Sequence, residues 1–336
     1  MNRTKTMAMG AATVGLAAWA ARLLREPYHF SGRSVLITGG SRGLGLVLAR
    51  ELAREGARLT IVARDDDELG RAAEELRSTG ADVLAIPCDV TVAEQVEGTV
   101  DAAVRHHGGL DVLVNNAGSI QVGPVENMSI EDLRASLDVH LWAAVHTVRA
   151  SLVHLSRHRD GRIVNVASMG GKVAVPHLLP YSVGKFALVG FSEGLRHELR
   201  RYGVRVTTVC PGLMRTGSHL RAEMKGQHEK EYGWFGPLAS SPLTSIDARR
   251  AARQIVEACR RGDAELIIGV QARLAVTANA ICPNLVSDAM GWVARALPAP
   301  SGPRGDESRT GLESRRAWTE PLTTMGDRAA VENREI

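Results

Sequence analysis

Thr38-Gly-Gly-Ser-Arg-Gly-Leu-Gly45 is a glycine-rich turn that directly follows the strand-like run Ser34–Thr38 and opens the helical pattern Leu44–Glu55. Glycines at positions 39, 43 and 45 allow a tight turn, and they let a pyrophosphate approach the backbone N–H groups at the helix N-terminus. A glycine-rich turn alone is a weak signal, but this one has the strand–turn–helix context that the mechanism requires. The turn therefore predicts a dinucleotide-binding α/β unit.

Short β-branched runs alternate with longer helical patterns from Gly32 to Gly269. The strand candidates are almost continuously apolar, as expected of parallel strands buried on both faces. They are Ser34–Thr38, Arg58–Ala63, Asp82–Pro87, Asp111–Asn115, Arg162–Ser168, Arg205–Cys210 and Glu265–Gly269. The helical candidates between them are Leu44–Glu55, Asp66–Thr79, Val92–His107, Ser129–His158, Tyr181–Tyr202 and Ser245–Arg261. This alternation predicts a doubly wound α/β domain over residues 31–270, with a parallel sheet and helices on both faces.

Residues 1–30 form a separate hydrophobic segment. Basic residues precede and follow an uncharged run from Met7 to Ala21, which is shorter than the roughly 20 residues of a membrane-spanning helix. We interpret residues 7–24 as a membrane anchor or interfacial helix, and a cleaved signal or a soluble helix stay open as alternatives. Because both flanks are basic, the positive-inside rule assigns no orientation.

Two further segments follow the predicted domain. Residues 271–297 have an amphipathic helical pattern interrupted at Cys282-Pro283. Core packing is the default interpretation of this extension, and a lipid-facing or substrate-covering cap is the alternative. Residues 298–336 are rich in Pro, Gly, Arg and Glu and poor in large apolar side chains, so they are predicted to be a disordered tail.

Composition excludes several classes of protein. The net charge of +4 results from 41 basic and 37 acidic residues, and no basic block is interleaved with aromatic residues, so nucleic-acid binding is not predicted. The four cysteines are far apart and form no Cys-x-x-Cys pair, which is typical of reduced thiols in a cytoplasmic protein. His154 and His158 are spaced i,i+4 but lack the Glu of a His-Glu-x-x-His motif. The sequence therefore predicts no metal site.

The preference for one dinucleotide is read from Ile61-Val-Ala-Arg-Asp65, at the end of the second strand candidate. An acidic side chain there would bind the ribose 2′-hydroxyl and repel a 2′-phosphate. The strand instead ends in Ala63 followed by Arg64, and Arg42 lies in the glycine-rich turn. Two guanidinium groups near one ribose suit a phosphate, which favours NADP(H) over NAD(H). The alternative is that Arg64 is an ordinary surface arginine and the protein accepts both.

Tyr181 and Lys185, in Pro180-Tyr-Ser-Val-Gly-Lys185, are the candidate catalytic pair. Residues at i and i+4 share one face of a helix, so the ammonium can lie beside the phenol. A phenol has a pKa of about 10, and a neighbouring cation lowers it toward the range useful for proton transfer. Ser168, which ends a strand candidate, could hold a substrate oxygen by a hydrogen bond. Taken alone, the pair could equally be a surface pair on an amphipathic helix.

The ordered set of motifs resembles the short-chain dehydrogenase/reductase family over roughly Gly32 to Gly269. The set comprises Thr38–Gly45, Asn115-Asn-Ala-Gly118, Ser168, Tyr181-Ser-Val-Gly-Lys185 and Pro211-Gly212. The resemblance implies a Rossmann-type sheet of about seven parallel strands and NAD(P)-dependent oxidoreduction of an alcohol or carbonyl. It also implies that Tyr181 is the acid/base, that Ser168 positions the substrate oxygen, and that Lys185 binds the nicotinamide ribose and lowers the pKa of the tyrosine.

The same resemblance implies a set of residues around the dinucleotide. They are Gly39, Ser41, Arg42, Gly43, Leu44, Gly45, Arg64, Asp89, Val90, Asn116, Ala117, Gly118, Tyr181, Lys185, Pro211, Gly212 and Thr216. Asp89 matches the acid that contacts the adenine, and the loop containing Thr216 lies beside the nicotinamide. Two independent alternatives stay open. Asn115 and Asn116 could mainly stabilise the central strand, and Thr216 could be a helix N-cap.

His140, in Leu137-Asp-Val-His-Leu-Trp142, departs from the family pattern. The family usually has an Asn at this position, and its backbone carbonyl holds a water in a proton relay to the lysine. Because a backbone group performs that role, a passive His140 is favoured over an imidazole that joins the relay.

The variable stretch from Leu213 to Leu243 is the candidate substrate lid. Its apolar side chains suit a lipophilic carbonyl such as a retinoid, a steroid or a fatty acyl derivative; they include Met214, Leu220, Met224, Trp234, Phe235 and Leu238. Plain packing of these side chains stays open as the alternative. The alternative function is a non-catalytic dinucleotide-binding sensor or scaffold of the same fold. The resemblance further implies a homodimer or homotetramer, and the predicted location is cytoplasmic, with membrane association on the cytoplasmic face through residues 7–24.

Overall fold

Seven parallel strands form the central sheet of the protein, in the order β3-β2-β1-β4-β5-β6-β7. The strands are β1 Ser34–Thr38, β2 Arg58–Ala63, β3 Val83–Pro87, β4 Val112–Asn115, β5 Arg162–Val166, β6 Arg205–Pro211 and β7 Glu265–Ile268. Ile37 of β1 pairs with Ile61 on one side and with Val114 on the other. The predicted Rossmann-type doubly wound sheet is confirmed.

A computed structural model describes residues 27–336, so the predicted anchor at residues 7–24 lies outside the described residues. Within this range, no helix has both the length and the apolar character needed to cross a membrane. The longer helices are α1 Gly43–Arg54, α2 Asp66–Ser78, α3 Ala93–His107, α4 Ile130–Leu137, α5 Ala143–Leu155, α6 Leu179–Leu199, α7 His228–Ser240, α8 Ala248–Arg261, α9 Val270–Ile281, α10 Pro283–Ala296 and α11 Glu320–Glu332.

Helices cover both faces of the sheet. On one face, α1, α2 and α8 pack against Val35 and Ile37 of β1. On the other, α3, α5 and α6 pack against Leu36, because successive side chains of a strand point to opposite faces. The strands therefore read as continuous apolar runs, and the polar residues at their carboxyl ends are left to form the site.

The predicted helix Ser129–His158 is divided in the structure. It consists of α4, a π-helical turn at Asp138–Trp142, and α5. A π-turn inserts an extra residue into the helical repeat and is common at functional sites. This turn contains His140, which it directs into the protein interior.

The predicted amphipathic extension forms α9 and α10, which separate at Cys282 as the sequence indicated. The default interpretation of core packing is wrong for this segment, because Ala272 is the single buried residue of the two helices. Helices already cover both faces of the sheet, so α9 and α10 lie at its end and expose large apolar side chains. The most exposed are Val270, Leu274, Ile281, Leu285 and Trp292.

The predicted disorder of residues 298–336 is also wrong. Arg309–Thr310 pairs antiparallel with Glu223–Met224, and α11 packs on α7. Close contact is possible because the facing residues are small: a Cβ on Gly217 (φ +96) would overlap Ala330 of α11. A low content of large apolar residues therefore did not prevent packing here.

Candidate active site

The glycine-rich turn lies at the carboxyl end of β1, where the order of strands reverses between β1 and β4. Ligands of doubly wound sheets bind in the crevice at this switch point. Gly43 has φ +55, a conformation that favours glycine. A Cβ on Gly45 would overlap the carbonyl oxygen of Gly39, so the turn cannot close tightly with any larger residue there.

The N-terminus of α1 has the features of an anion site, although the Gly43 N–H donates to the Asn333 carbonyl at 2.8 Å in this structure. Arg42 is its N-cap residue, no side chain of the described residues caps it, and its first turn contains no acidic residue. Unpaired N–H groups and the helix dipole favour a phosphate at such an end. Asn116 supports the turn, since its Nδ2 donates to the carbonyl oxygens of Thr38 at 3.1 Å and Gly39 at 3.2 Å. These residues fit the diphosphate of a dinucleotide.

Arg42 and Arg64 are the two basic residues that the sequence analysis assigned to the ribose phosphate, and that assignment stays a prediction. Arg64 is exposed after β2. Burial alone would raise the pKa of Asp89, but hydrogen bonds from Thr91 and the charge of Arg64 hold it below its ordinary value. Arg42 donates to Glu68 at 2.5 Å, and its Nε lies 3.3 Å from Glu335. The sequence analysis did not anticipate either acidic partner.

Ser168 and Tyr181 face each other beyond the end of β5. The Ser168 Oγ accepts the Gly170 N–H at 3.0 Å, and the Ser168 hydroxyl lies close enough to the Tyr181 phenol to lower its pKa. A Cβ on Gly170 would lie 3.3 Å from the Tyr181 ring and 3.4 Å from the Ser168 Oγ. The two hydroxyl groups can therefore hold one carbonyl oxygen between them.

Lys185 is buried one turn farther along α6. Its Nζ donates to the Val166 carbonyl at 2.9 Å and lies 5.7 Å from the centre of the Tyr181 ring. Burial lowers the pKa of Lys185 to about 7. Burial raises the pKa of Tyr181, and the hydrogen bond with Ser168 opposes this only in part. The expected lowering of the tyrosine pKa by Lys185 is not found, because desolvation dominates both groups.

His140 is buried with its ring edge against Tyr181, the two ring centres being 5.4 Å apart. Its Nε2 is 3.4 Å from the Ser119 N–H, which donates to it, so Nδ1 carries the proton toward Ser136 Oγ at 3.2 Å. Ser136 in turn donates to the Pro180 carbonyl at 2.6 Å. Burial, with the charge of Lys185, lowers the pKa of His140 well below its ordinary value. The imidazole is therefore neutral at neutral pH.

Asn115 belongs to a buried polar network that links the sheet to the helices. Its Nδ2 donates to Asn165 Oδ1 at 2.9 Å, and its Oδ1 accepts from Thr147 Oγ1 at 2.7 Å. Asn165 donates onward to Ser192 Oγ at 3.0 Å. The role of Asn115 in this structure is thus to hold β4 and β5 in place.

The loop after β6 closes the other side of the crevice. Gly212 N–H donates to the Ile268 carbonyl at 2.9 Å. Thr216 Oγ1 accepts the Ser218 N–H at 3.2 Å in a Ser/Thr turn. The N-cap of the short helix that follows is Gly217, so the alternative that Thr216 is a helix N-cap is wrong. Beyond it, an apolar cluster reaches Tyr181 and contains Val122, Leu178, Leu220, Ala222, Met224, Tyr232, Phe235 and Ala330.

A separate group of side chains lies at the opposite edge of the sheet. The ligand atoms of Asp82, His106 and His107 lie within 4.8 Å of one another. They precede β3 and β4, so they are remote from the catalytic residues. The sequence analysis did not consider this group, and its prediction that the protein has no metal site stays a prediction.

A switch-point crevice with a phosphate-binding turn and a Ser–Tyr–Lys group defines a dinucleotide-dependent oxidoreductase. Residues 33–225 match the family model described as short chain dehydrogenase, and the chain belongs to the short-chain dehydrogenase/reductase family. It is an NAD(P)-dependent enzyme that acts on CH–OH and C=O groups.

Two curated relatives illustrate the family. The chain is 32% identical over 246 residues to "Putative oxidoreductase SadH" of Mycobacterium tuberculosis, covering 73% of this chain and 88% of that protein. It is 34% identical over 267 residues to "11-beta-hydroxysteroid dehydrogenase-like 4A" of Arabidopsis thaliana, and the match covers 78% of this chain and 85% of that protein.

Two solved structures differ in their dinucleotide. L-Sorbose reductase of Gluconobacter frateurii, complexed with NADPH and L-sorbose, is 28% identical with a TM-score of 0.64, covering 71% of this chain and 95% of that one. A short chain dehydrogenase/reductase of Burkholderia phymatum, in complex with NAD, is 25% identical with a TM-score of 0.70, covering 82% and 99%. The family therefore does not decide between the two dinucleotides.

Proposed function

We propose that the protein is an NADP(H)-dependent reductase of a lipophilic carbonyl, with Tyr181 as the proton donor. The main support for this proposal is that the Tyr181 ring and the Ser168 Oγ lie on the same side of Gly170, within 3.3 Å and 3.4 Å of the position of a Cβ there, and that burial raises the pKa of Tyr181. The phenol therefore retains its proton at neutral pH, which suits reduction. When bound, the dinucleotide supplies the hydride.

Each catalytic residue has one role in this proposal. Ser168 and Tyr181 hold the substrate oxygen, and Tyr181 transfers its proton from Oη as negative charge develops there. Lys185 offsets the charge left on the phenolate, because an ammonium beside an oxyanion is strongly stabilising in a desolvated site. Removal of water by the surrounding apolar side chains strengthens all three interactions.

We propose that the substrate is lipophilic because Tyr181 packs against an apolar cluster to which the lid contributes most of the buried residues. Leu220, Met224 and Phe235 of the lid are buried in this cluster. The resemblance to a hydroxysteroid dehydrogenase-like protein supports a steroid among the retinoid, steroid and fatty acyl carbonyls that the sequence predicted. An NADPH-oxidation screen across lipophilic ketones and aldehydes tests this. Turnover only of small polar sugars would contradict it, and dinucleotide binding with no turnover across the panel would favour the non-catalytic sensor.

Arg64→Ala is expected to raise the Kd for NADPH by about tenfold, the effect of losing about 1.4 kcal/mol, and to leave the Kd for NADH within about twofold. The reason is that Arg64 lies after β2, where the 2′-phosphate of NADPH would be neutralised. The two affinities can be measured by fluorescence titration.

Arg71→Ala is the matched control, because Arg71 is exposed on α2 just beyond this region. Arg42→Ala is expected to act in the same direction, but it also removes the partner of Glu335, so Arg64 is the cleaner test. An unchanged Kd for NADPH in both Arg42 and Arg64 variants would reject the NADP(H) preference.

His140→Asn is expected to leave the pH dependence of kcat/KM unchanged and kcat within about threefold. The neutral imidazole already accepts the Ser119 N–H, and its low pKa keeps it from cycling through the imidazolium. The pH–rate profiles of both proteins provide the measurement. Loss of one limb of the profile in the variant would assign His140 an active part in the proton relay.

Two proposals on assembly and location rest mainly on the resemblance and on the sequence. A homodimer or homotetramer is supported by large apolar side chains exposed on α5, α6 and the turn before them, namely Trp142, Val153 and Phe186. A cytoplasmic location, with residues 7–24 at the membrane face, stays a prediction.

A further inference from the structure

Residues 333–336 lie on the glycine-rich turn. The Asn333 carbonyl oxygen accepts the Gly43 N–H at 2.8 Å, which is the first N–H of α1. The Asn333 side chain donates to the Thr216 carbonyl at 3.2 Å. One residue thus joins the turn to the loop predicted beside the nicotinamide, across the mouth of the crevice.

Glu335 fills the space that Gly43 leaves open. A Cβ on Gly43 would overlap the Glu335 carboxylate, which lies 3.3 Å from the Arg42 Nε. The backbone oxygen of Glu335 accepts from Arg221 Nε at 2.7 Å. The side chain is almost fully buried. The turn, built to receive an anion, therefore contacts a carboxyl group of the same protein. Burial raises the pKa of this Glu335 carboxyl to about 7, although Arg42 and Arg221 oppose the shift.

The path of the chain explains how this contact is reached. After α11 ends, Arg334 adopts φ +58, and the Glu335 N–H donates to the Ala330 carbonyl at 2.8 Å. A left-handed conformation is unfavourable for a non-glycine residue. Surrounding contacts oppose that cost: Arg334 pairs with Glu75 at 2.7 Å, and Arg50 donates to the Glu332 carbonyl at 3.0 Å.

We propose that residues 333–336 are an internal competitor of the dinucleotide, so that the protein alternates between a closed state with Glu335 on the glycine-rich turn and an open state that binds the dinucleotide. This inference rests on the proposed function, because it assigns the turn and Arg42 to dinucleotide binding. It adds a regulatory element that the family motifs do not contain.

The competition follows from shared donors. The Gly43 N–H cannot donate to the Asn333 carbonyl and to a phosphate group at the same time. Likewise, the Arg42 guanidinium cannot pair with Glu335 and with a phosphate group in one position. When only a fraction of the protein is open, the apparent Kd equals the intrinsic Kd divided by that fraction. Removing the competitor therefore tightens binding without adding any contact to the dinucleotide.

The test is NADPH binding by fluorescence titration, which needs no substrate. It compares the full chain, a variant lacking residues 333–336, Glu335→Gln, and Glu332→Gln as the matched control. Glu332 is an exposed acid at the end of α11, directly before the segment, and its side chain pairs with Arg249. We expect the deletion to lower the Kd by about tenfold or more, Glu335→Gln to lower it by about threefold, and Glu332→Gln to leave it within about twofold.

Amide hydrogen exchange in α11 of the unaltered protein gives an independent reading if the deletion disturbs folding. NADPH is expected to speed exchange in α11, because it displaces residues 333–336. Slower exchange, or weaker binding by the deletion variant, would make this segment a clamp over the dinucleotide and overturn the proposal. Equal Kd values in all four proteins would also overturn it while leaving the proposed function intact. Absence of NADPH binding in all four proteins would contradict both this proposal and the proposed function.

Discussion

Tyr181→Phe is expected to lower kcat for carbonyl reduction by about 10³-fold or more, while the Kd for NADPH stays within about twofold. The substitution removes one oxygen, the proposed proton donor, and keeps the ring that packs against His140 and the apolar cluster. Ser168 would remain beside the substrate oxygen, but its hydroxyl is a far weaker acid. Single-turnover oxidation of NADPH with a lipophilic ketone identified in the screen measures the effect.

Tyr202→Phe is the matched control for this experiment. Tyr202 lies just beyond α6 and is exposed, so the same oxygen is lost without touching the site. Its kcat should equal that of the unaltered protein. Turnover by Tyr181→Phe at more than about a tenth of the original rate would contradict the assignment of the proton donor.

Lys185→Met is expected to separate catalysis from stability. We expect kcat to fall by about 10²-fold or more, because the charge that offsets the phenolate is lost. At pH 6 the dinucleotide-free variant should nevertheless be at least as stable as the unaltered protein. Met has a similar length, and an apolar side chain in place of a buried charge is often stabilising.

The pH dependence of stability gives this prediction its sign. The pKa of Lys185 is about 7 in the folded protein against an ordinary value of 10.5. The contribution of Lys185 to the free energy of unfolding is most favourable above about pH 10.5, where the amine is neutral in both the folded and the unfolded state. This contribution decreases as the pH falls below 10.5 and is lost once the pH has passed through 7. Lys185→Met should remove that part of the decline, which chemical denaturation at pH 6 and pH 9 would measure.

Lys172 provides a contrasting control. Its ammonium pairs with Glu193 at 2.6 Å and Glu265 at 2.7 Å, and these partners outweigh partial burial and raise its pKa. Lys172→Met should therefore lower stability at pH 6. If both methionine variants lose stability equally, the burial cost assigned to Lys185 is wrong.

The sequence was sufficient for the features that depend on local pattern. Continuous apolar runs predicted all the strands of the central sheet, because strands covered on both faces need apolar residues at every position. The glycine-rich turn and Arg42 could also be placed from local pattern, because strand, turn and helix are contiguous in the chain. Ser168, Tyr181 and Lys185 meet because the carboxyl end of β5 and the start of α6 share one edge of the sheet.

What could not be predicted depends on contacts between distant residues. The packing of residues 298–336 rests on Ala330 against Gly217 and on the backbone of Asn333 against Gly43, and composition does not register contacts between small residues or backbone groups. The pKa values of Tyr181 and Lys185 depend on tertiary burial, which reversed the direction expected for the tyrosine.

The π-turn at Asp138–Trp142 sets the rotational phase between α4 and α5. Each residue of an α-helix advances the chain by about 100° around the axis, so the additional residue of a π-turn turns everything beyond it by that angle relative to an uninterrupted helix. Deleting one residue here would allow a continuous α-helix and rotate His140 away from Tyr181. The number of residues in this turn is therefore constrained by geometry, whichever amino acid occupies position 140.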